Sequence, residues 1–284
     1  MVLLIPKNRI PGDARCWVAM LMVATFFQAA SALAGPYAPA AGVSGSTAIA
    51  LDSPAFVAWA EHVAEYLPGT HLDATWQHTE KVLGPAQGTS ADVVSLGRGG
   101  QITLRFTPPI TNGPGWDFAV FENSFRDTFL ELAYVEVSSN GIDFIRFPNI
   151  SLTPTAVPAF GSIDPTDIDG LAGKYRQGFG TPFDLTALAD QDAVIQGRVD
   201  LTAISHIRLV DIVGDGSALD SDSAEIYDPY PTNGSAGFDL DAVGVSNGAP
   251  FPQGKYTPPE TPPRQGEAGI GGDIGCFIGS LCWE

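Results

Sequence analysis

The chain has 284 residues, of which 44% are hydrophobic, and a formal net charge of −18 at pH 7. This length and apolar content can supply the core of one all-β domain of about 200 residues, so a second domain is not required. The excess of carboxylates repels phosphate groups, which excludes nucleic acid and direct binding to anionic lipid as favoured partners.

The first 34 residues have the pattern of a secretory signal peptide. Basic residues up to Arg15 precede an apolar run from Trp17 to Phe27, and an Ala-Leu-Ala sequence at 32–34 suits cleavage before Gly35. The apolar run is too short for a stable membrane anchor. We therefore predict that residues 1–34 are removed on export, with an uncleaved anchor as the alternative. The protein is then expected to be secreted, in the extracellular medium or at the cell surface.

The next segment leads into the folded domain. Residues 35–50 are rich in Gly, Ala and Pro and are predicted to form a flexible lead. A single domain is predicted over residues 51–247. It is expected to begin with a short N-terminal helix over residues 55–66, because Ser53 suits an N-cap and Pro54 suits the first helical position.

From residue 82 onward the pattern is typical of β-strands. Residues 101–106 alternate cleanly, so Ile102, Leu104 and Phe106 are expected on the inner face. Glycines at 97–100 are predicted to turn a hairpin into this strand. The stretch 113–147 is interpreted as the central sheet of a jelly-roll-like antiparallel β-sandwich with long loops. The candidate strands are residues 93–96, 101–106, 118–121, 130–137, 144–147, 206–213 and 237–245.

Acidic and amide side chains lie at the ends of these strands or within them. Alternation places Asp239 and Asp241 on one face of the last strand, within reach of one cation. Asp211 lies in an apolar strand and needs a partner or a metal, because an unpaired buried carboxylate is unfavourable. Calcium binds about six to eight oxygen atoms of this kind. The predicted calcium ligands are Asp117, Glu122, Asn123, Asp211, Asp239 and Asp241.

A second candidate site lies in the long loop 151–184, which is rich in Pro, Gly, Asp and Thr. A loop of this length in a compact domain is usually functional or disordered, and its aromatic residues favour an ordered, functional loop. Its aspartates do not follow the EF-hand spacing, so either a different calcium site or local Asx turns account for them. The residues assigned to this ligand-binding loop are Asp164, Asp167, Asp169, Tyr175 and Phe179.

Residues 248–284 form a Pro/Gly-rich tail that contains Cys276 and Cys282. The two cysteines are close enough in sequence to form a small disulfide loop in an oxidising compartment. Pairing with another chain is the alternative. The oligomeric state therefore stays open at this point.

Five segments together carry a family resemblance: SLGRGGQITLRF (95–106), NGPGWDFAVFEN (112–123), FLELAYVEVSSNGIDFIRFP (129–148), DIDGLAGKYRQGFGTPFDL (167–185) and GFDLDAVGV (237–245). Residues 84–247 resemble exported bacterial β-sandwich proteins, many of which end in PEP-CTERM sorting tails or are described as cell-surface proteins. The resemblance implies an exported domain without an established enzymatic activity. No PEP motif, helix and arginine cluster follow here, so anchoring of that type is not expected. The FDLDAV strand is also similar to the last strand of jelly-roll carbohydrate-binding modules, whose aspartates help to hold a structural calcium.

Three functions agree with these observations. We favour a non-catalytic, calcium-stabilised module that binds carbohydrate or extracellular matrix. A glycoside-active enzyme is the second hypothesis, because two carboxylates such as Glu122 and Asp241 suffice for glycosidic cleavage. The sequence shows no nucleophile elbow, zinc motif or serine-histidine arrangement, which weighs against an enzyme. The third is an extracellular structural protein that assembles through edge strands or its cysteine tail.

Overall fold

The computed structural model describes residues 34–248. The predicted signal peptide up to residue 33 and the pair formed by Cys276 and Cys282 lie outside the described residues. The strands, in chain order, are β1 (Ile49–Ala50), β2 (Ala58–Trp59), β3 (His62–Leu67), β4 (Val94–Ser95), β5 (Gln101–Ile110), β6 (Phe118–Glu122), β7 (Ala133–Ser138), β8 (Ile145–Arg146), β9 (Ile150–Ser151), β10 (Ile168–Asp169), β11 (Phe179–Phe183), β12 (Ile204–Asp211), β13 (Asp215–Leu219), β14 (Glu225–Tyr227) and β15 (Asp239–Val245).

Helical segments within the described part of the chain are short. They are 3₁₀ helices at Ala74–Trp76, Thr79–Val82, Pro165–Asp167 and Leu185–Leu188, and the single α-helical turn α1 at Asp192–Ile195. Among residues 34–248, no helix has the length and apolar character needed to cross a bilayer.

The strands form two antiparallel sheets that pack as a β-sandwich. The first sheet has the order β1-β11-β6-β15-β2, and β4 also pairs with β15. The second sheet has the order β3-β5-β12-β7-β8. Two short pairs, β9 with β10 and β13 with β14, accompany them. The predicted all-β antiparallel sandwich is confirmed.

The main hydrophobic core lies between the two sheets. Phe118 and Val120 of the first sheet belong to the same buried cluster as Leu104 of the second sheet. Because side chains alternate along a strand, Ala119 and Phe121 face the other side of the first sheet. There they pack with the partly buried aromatic residues Phe56, Trp59 and Trp116. Strand β6 is therefore buried on both faces, which fixes the position of Glu122 at its end.

The predicted helix over residues 55–66 is wrong. This segment contains β2 and β3, and β3 is the edge strand of the second sheet, where it pairs with β5. The register of that pairing shifts between Val63 and Glu65, and both Val63 and Tyr66 pack against the core. A β-bulge has thus produced the three-residue spacing of apolar side chains that is also typical of a helix.

The predicted central sheet is also wrong, because its strands belong to different sheets. β6 lies in the first sheet and β7 in the second, so residues 123–132 cross from one sheet to the other. Similarly, β4 pairs with β15 whereas β5 pairs with β3 and β12. The glycines at 97–100 therefore connect the two sheets and do not close a hairpin.

Residues 35–50, predicted as a flexible lead, contact the sandwich. The backbone N–H of Gly35 donates to Thr166 Oγ1 at 2.6 Å, and that of Tyr37 donates to the Thr166 carbonyl at 3.1 Å. β1 pairs with β11 at the edge of the first sheet. This segment is therefore packed as part of the domain.

Candidate functional site

Buried carboxyl groups lie where residues 123–132 leave the first sheet. Glu122 ends β6, Glu131 comes shortly before β7, and Asp239 begins β15. Their exposed fractions are 1%, 5% and 4%. Asp211 at the end of β12 and Asp228 after β14 are 5% and 3% exposed. We call these five residues the carboxylate cluster.

The carboxyl groups of the cluster are close enough to repel one another. Burial and then repulsion from Asp239 raise the pKa of Glu122 well above its usual value. Burial and repulsion from Asp239, Glu122 and Asp228 have the same effect on the pKa of Glu131. Burial raises the pKa of Asp239 to about 7. Such an arrangement is unfavourable unless the groups are protonated or a cation binds between them.

Asp211 and Asp228 are held by backbone N–H groups. Asp211 accepts hydrogen bonds from the N–H groups of Gly99 and Phe238, both at 2.8 Å. Asp228 accepts one from the N–H of Leu132 at 2.9 Å. Burial nevertheless raises the pKa of Asp211 to about 7, and burial with repulsion from Asp211 raises that of Asp228. Asp211 thus has the partners that its position in an apolar strand requires, without a metal.

Three carboxyl oxygens of the cluster have no hydrogen-bond partner within residues 34–248. They are Glu122 Oε1, Glu131 Oε1 and Asp239 Oδ1. The Ser95 hydroxyl, from the residue opposite Asp239 across β4 and β15, also lacks a hydrogen bond of good geometry in this part of the chain. The side chains of Ser95 and Thr232 are near enough to lower the pKa of Asp239 and of Glu131 respectively, but this effect is smaller than that of burial. Buried acceptors without partners are rare and call for a water or an ion. Carboxylate and hydroxyl oxygens are the donors that calcium prefers.

The oxygens do not yet surround a common centre. Among the described residues, no group of three Asp, Glu, His or Cys side chains has the arrangement of a metal site. The donor types therefore fit a hard cation, but the side chains would have to rotate towards it. Mutual repulsion opposes that rotation until the positive charge is present.

Basic side chains do not neutralise the cluster. None of the ion pairs within residues 34–248 includes a cluster carboxylate. Arg98 lowers the pKa of Asp211, but this effect is smaller than that of burial. The Arg98 guanidinium lies 5.0 Å from the Tyr230 ring centroid and donates to the Thr232 carbonyl and to Asn233 Oδ1. The negative charge of an ionised cluster would thus be largely uncompensated.

Two predicted ligands next to the cluster have other partners. Asp241 Oδ1 and Oδ2 accept hydrogen bonds from the N–H groups of Gln87 and Gly88, at 2.9 and 2.8 Å. Asn123 Nδ2 donates to Asp239 Oδ2 at 3.2 Å. Asp241 therefore anchors a loop, whereas Asn123 orients one oxygen of Asp239 and leaves the other without a partner.

The alternation predicted for the last strand holds only in its first half. The register between β15 and β6 shifts between Leu240 and Ala242. As a result, Val243 and Val245 pack in the same core cluster as Leu240, whereas Ala242 packs on the other side of the sheet. Strict alternation would put Ala242 on the same face as Leu240, and this bulge moves it to the other face.

Asp117 lies at the opposite end of β6 from Glu122. It accepts hydrogen bonds from Gly113 N at 2.8 Å, Leu185 N at 2.7 Å and Asn247 Nδ2 at 3.0 Å. We expect Asp117→Ala to lower the free energy of unfolding by about 1–3 kcal/mol, because buried donors lose their acceptor. Urea denaturation should show the same decrease with calcium and with chelator. A decrease seen only with calcium would instead make Asp117 a metal ligand.

The residues assigned to the ligand-binding loop do not form one site. Asp164 Oδ1 accepts hydrogen bonds from Thr166 N at 2.9 Å and Thr166 Oγ1 at 2.7 Å, and so caps a 3₁₀ helix. Tyr175 is 1% exposed, and its hydroxyl is 2.8 Å from Thr47 Oγ1. These two residues stabilise the loop from within. Local turn chemistry, one of the two alternatives for Asp164, is what the structure contains at that residue.

The other three loop residues do not complete a site with these. Asp167 is the last residue of the 3₁₀ helix that Asp164 caps, and burial and then repulsion from Asp164 raise the pKa of its carboxyl. Asp169 is exposed on β10. Phe179 begins β11 and packs under the Arg176 guanidinium, which is 4.6 Å from its ring centroid. The aspartates of this loop therefore do not converge on one ion.

Sequence reasoning missed Glu131 and Asp228. Glu131 lies within an apolar run, Leu130–Val137, that was interpreted only as a strand. A single carboxylate in such a run was a usable signal, since the same argument identified Asp211. Asp228 follows several acidic residues in a polar loop, and nothing in the sequence separates it from exposed ones such as Asp222 and Glu225.

Comparisons with known proteins do not assign this site. No protein-family model matches the chain, and no curated protein matches it with significance. The fold and the site define a class only: an antiparallel β-sandwich with a buried carboxylate cluster at a crossing between its sheets.

Proposed function

We propose that this protein is an exported, non-catalytic β-sandwich module that is stabilised by calcium and binds carbohydrate or extracellular matrix. One observation carries the proposal: Glu122, Glu131 and Asp239 are buried together, and each has an oxygen without a partner in residues 34–248. A cation would relieve their repulsion and use these oxygens. Export, inferred from residues 1–34, would bring the protein to a compartment where calcium is abundant.

Calcium suits this cluster better than other common metal ions do. The cluster offers only oxygen donors, whereas zinc and copper sites are usually built with His or Cys. Magnesium requires near-ideal octahedral geometry and retains several waters, which a buried site of this kind would exclude. Calcium accepts irregular geometry and six to eight or so oxygens, including backbone carbonyls.

An ion in the cluster would join parts of the chain that are far apart in sequence. Glu122 belongs to the first sheet at the end of β6, Glu131 to the crossing segment and Asp239 to the start of β15. The unfolded chain cannot present these groups together. Calcium would therefore bind the folded state and stabilise it by mass action.

The alternative of a glycoside-active enzyme has less support. Its proposed carboxylate pair, Glu122 and Asp241, is buried, and each residue is 1% exposed. A saccharide would need contact with both groups. In this conformation neither carboxyl is accessible to a polymeric substrate, so the geometry favours a structural use of Glu122.

Thermal unfolding with and without calcium tests the proposal. We expect calcium at about 100 times its dissociation constant to add about 2.7 kcal/mol to the free energy of unfolding. For a domain of this size that corresponds to a rise of about 5–10 °C in the unfolding midpoint. Differential scanning calorimetry at pH 8 in calcium or in chelator measures the rise.

Two variants make this test specific. Asp239→Asn should lose the rise, because it removes one charged donor of the cluster. Asp222→Asn, which changes an exposed aspartate elsewhere, should retain it. A wild-type midpoint that is the same in calcium and in chelator would refute the calcium site.

A further inference from the structure

An exposed group of aromatic side chains lies where the segment that crosses between the sheets, residues 123–132, meets the loop between β9 and β10 that carries Phe160. Phe125 and Phe160 are 54% and 65% exposed, and Phe129 is buried between them. The Phe129 ring centroid is 4.9 Å from that of Phe125 and 5.8 Å from that of Phe160, with interplanar angles of 26° and 20°. The Arg126 guanidinium lies 5.2 Å from the Phe125 centroid. We call these four residues the aromatic patch.

Two features of the aromatic patch are unfavourable for the stability of the folded protein. Large apolar side chains gain free energy by burial, yet two phenyl rings here face the solvent. Phe160 also has a φ of 57°, a conformation that residues other than Gly, Asn and Asp rarely adopt. Arg126 Nη2 donates to the Phe160 carbonyl at 2.9 Å and holds this residue against the neighbouring loop. Strain and exposure at one residue are typical of a binding surface.

The patch is directly connected to the carboxylate cluster. The loop that carries Phe125, Arg126 and Phe129 consists of residues 123–130. It begins immediately after Glu122 and ends immediately before Glu131. Glu122 Oε2 accepts a hydrogen bond from Ser124 N at 2.8 Å, and the Ser124 hydroxyl donates to the carbonyl of Phe129. A cation that drew Glu122 and Glu131 together would thus fix both ends of this loop.

The chemistry of the patch fits a sugar ring. The apolar C–H face of a pyranose packs on phenyl rings, and its hydroxyl groups need polar partners beside them. The Arg126 guanidinium lies over the Phe125 ring, and the hydroxyls of Thr128 and Ser162, which are 3.2 Å apart, belong to residues close in sequence to Phe129 and Phe160. The net charge of −18 disfavours a polyanion.

We propose that the aromatic patch binds the pyranose rings of a neutral polysaccharide, and that a cation in the carboxylate cluster fixes the loop that carries Phe125, Arg126 and Phe129. This inference rests on the proposed function and specifies where its ligand binds. The ligand contacts are made by Phe125, Phe160 and Arg126. Glu122 and Glu131 act as positioning residues, because they do not contact the saccharide.

Affinity electrophoresis of the full chain tests the inference. The native gels contain mixed-linkage β-glucan or xylan, with polygalacturonate as an acidic counter-probe, and are run with calcium or with chelator. We expect retardation by a neutral polysaccharide in calcium. Phe125→Ala and Phe160→Ala should each weaken the apparent affinity about tenfold, as expected for a contact residue. Chelator should weaken binding of the wild type to a similar extent.

The control variant is Ile142→Ala, which changes a residue that is 83% exposed on another turn. It should bind as the wild type does. Unchanged binding in both phenylalanine variants would overturn the inference and leave the proposed function intact, since the ligand would then bind elsewhere. Binding that is insensitive to chelator would overturn the coupling.

Two further outcomes also decide against the inference. Retardation by polygalacturonate alone would exclude a neutral ligand. A wild-type dimer that becomes monomeric in Phe125→Ala, detected by analytical ultracentrifugation, would show that the patch packs against a second copy of the chain. Both outcomes are independent of the calcium-induced rise in the unfolding midpoint, which tests the proposed function separately.

Discussion

In calcium-free buffer, the free energy of unfolding should fall as the pH rises from about 4 to about 8. Burial raises the pKa of Asp211 and Asp239 from 3.8 or so to about 7 in the folded protein. Between these values the folded state retains protons that the unfolded chain releases. The resulting stabilisation is complete below about pH 4 and is lost as the pH passes through 7. Because Asp211 and Asp239 also interact with each other, the loss over the whole window should be on the order of a few kcal/mol in total.

Urea denaturation at a series of pH values measures this loss. In chelator the decrease between about pH 5 and pH 8 should be on the order of a few kcal/mol. In calcium the part of the decrease that comes from Asp239 should disappear, because the ion replaces the proton that this carboxyl releases, whereas the part that comes from Asp211, which backbone N–H groups hold, should remain. A free energy of unfolding in chelator that stays level or rises over this range would show that the cluster is ionised without penalty.

Glu131→Gln should have opposite effects on stability with and without calcium. In chelator at pH 8 we expect the variant to be more stable than the wild type by about 1–3 kcal/mol. The reason is that a neutral amide replaces a carboxyl group that Asp239, Glu122 and Asp228 repel. In calcium the variant should be less stable than the wild type, because one charged donor is missing. Chemical denaturation under the two conditions shows whether the order of stability reverses.

The matched control for this substitution is Glu80→Gln, which removes the same charge at a side chain that is 72% exposed. Its effect should be small and equal in calcium and in chelator. If Glu131→Gln destabilised the protein equally in both conditions, Glu131 would be a purely structural residue. The calcium hypothesis would then have to rely on Glu122 and Asp239 alone.

Local patterns in the sequence were sufficient to predict strands and the β-sandwich. The alternation of Ile102, Leu104 and Phe106 correctly predicted the inner face of β5. A strand with one face on the core places every second side chain in that core. The same reasoning failed where a bulge interrupts the period, as at Val63 and Tyr66 in β3. The pairing of the strands could not be predicted from the sequence, since β6 and β7 are close in sequence but belong to different sheets.

The residues of the candidate site could be predicted from the sequence only where a local pattern marks them. Glu122 was identified because it follows an apolar strand directly, and Asp239 because alternation along the last strand places it on the same face as Asp241. Glu131 was not found, because its burial follows from the crossing between the sheets and leaves no trace in local periodicity. Asp117 and Asp241 accept hydrogen bonds from backbone N–H groups of loops that are distant in sequence. Local sequence patterns do not predict which loop supplies such a donor.

The pairing of β6 with β15 has a consequence for the folding kinetics of the chain. Glu122 lies opposite Leu240, so the central pair of the first sheet joins segments more than 100 residues apart. Pairings of this kind carry a large loop-closure entropy and slow the folding reaction. The first sheet can close only after the chain has been synthesised to its last strand. Until β15 is available, β6 has only β11 as a neighbour in the first sheet, so this sheet stays incomplete while the strands of the second sheet are already present.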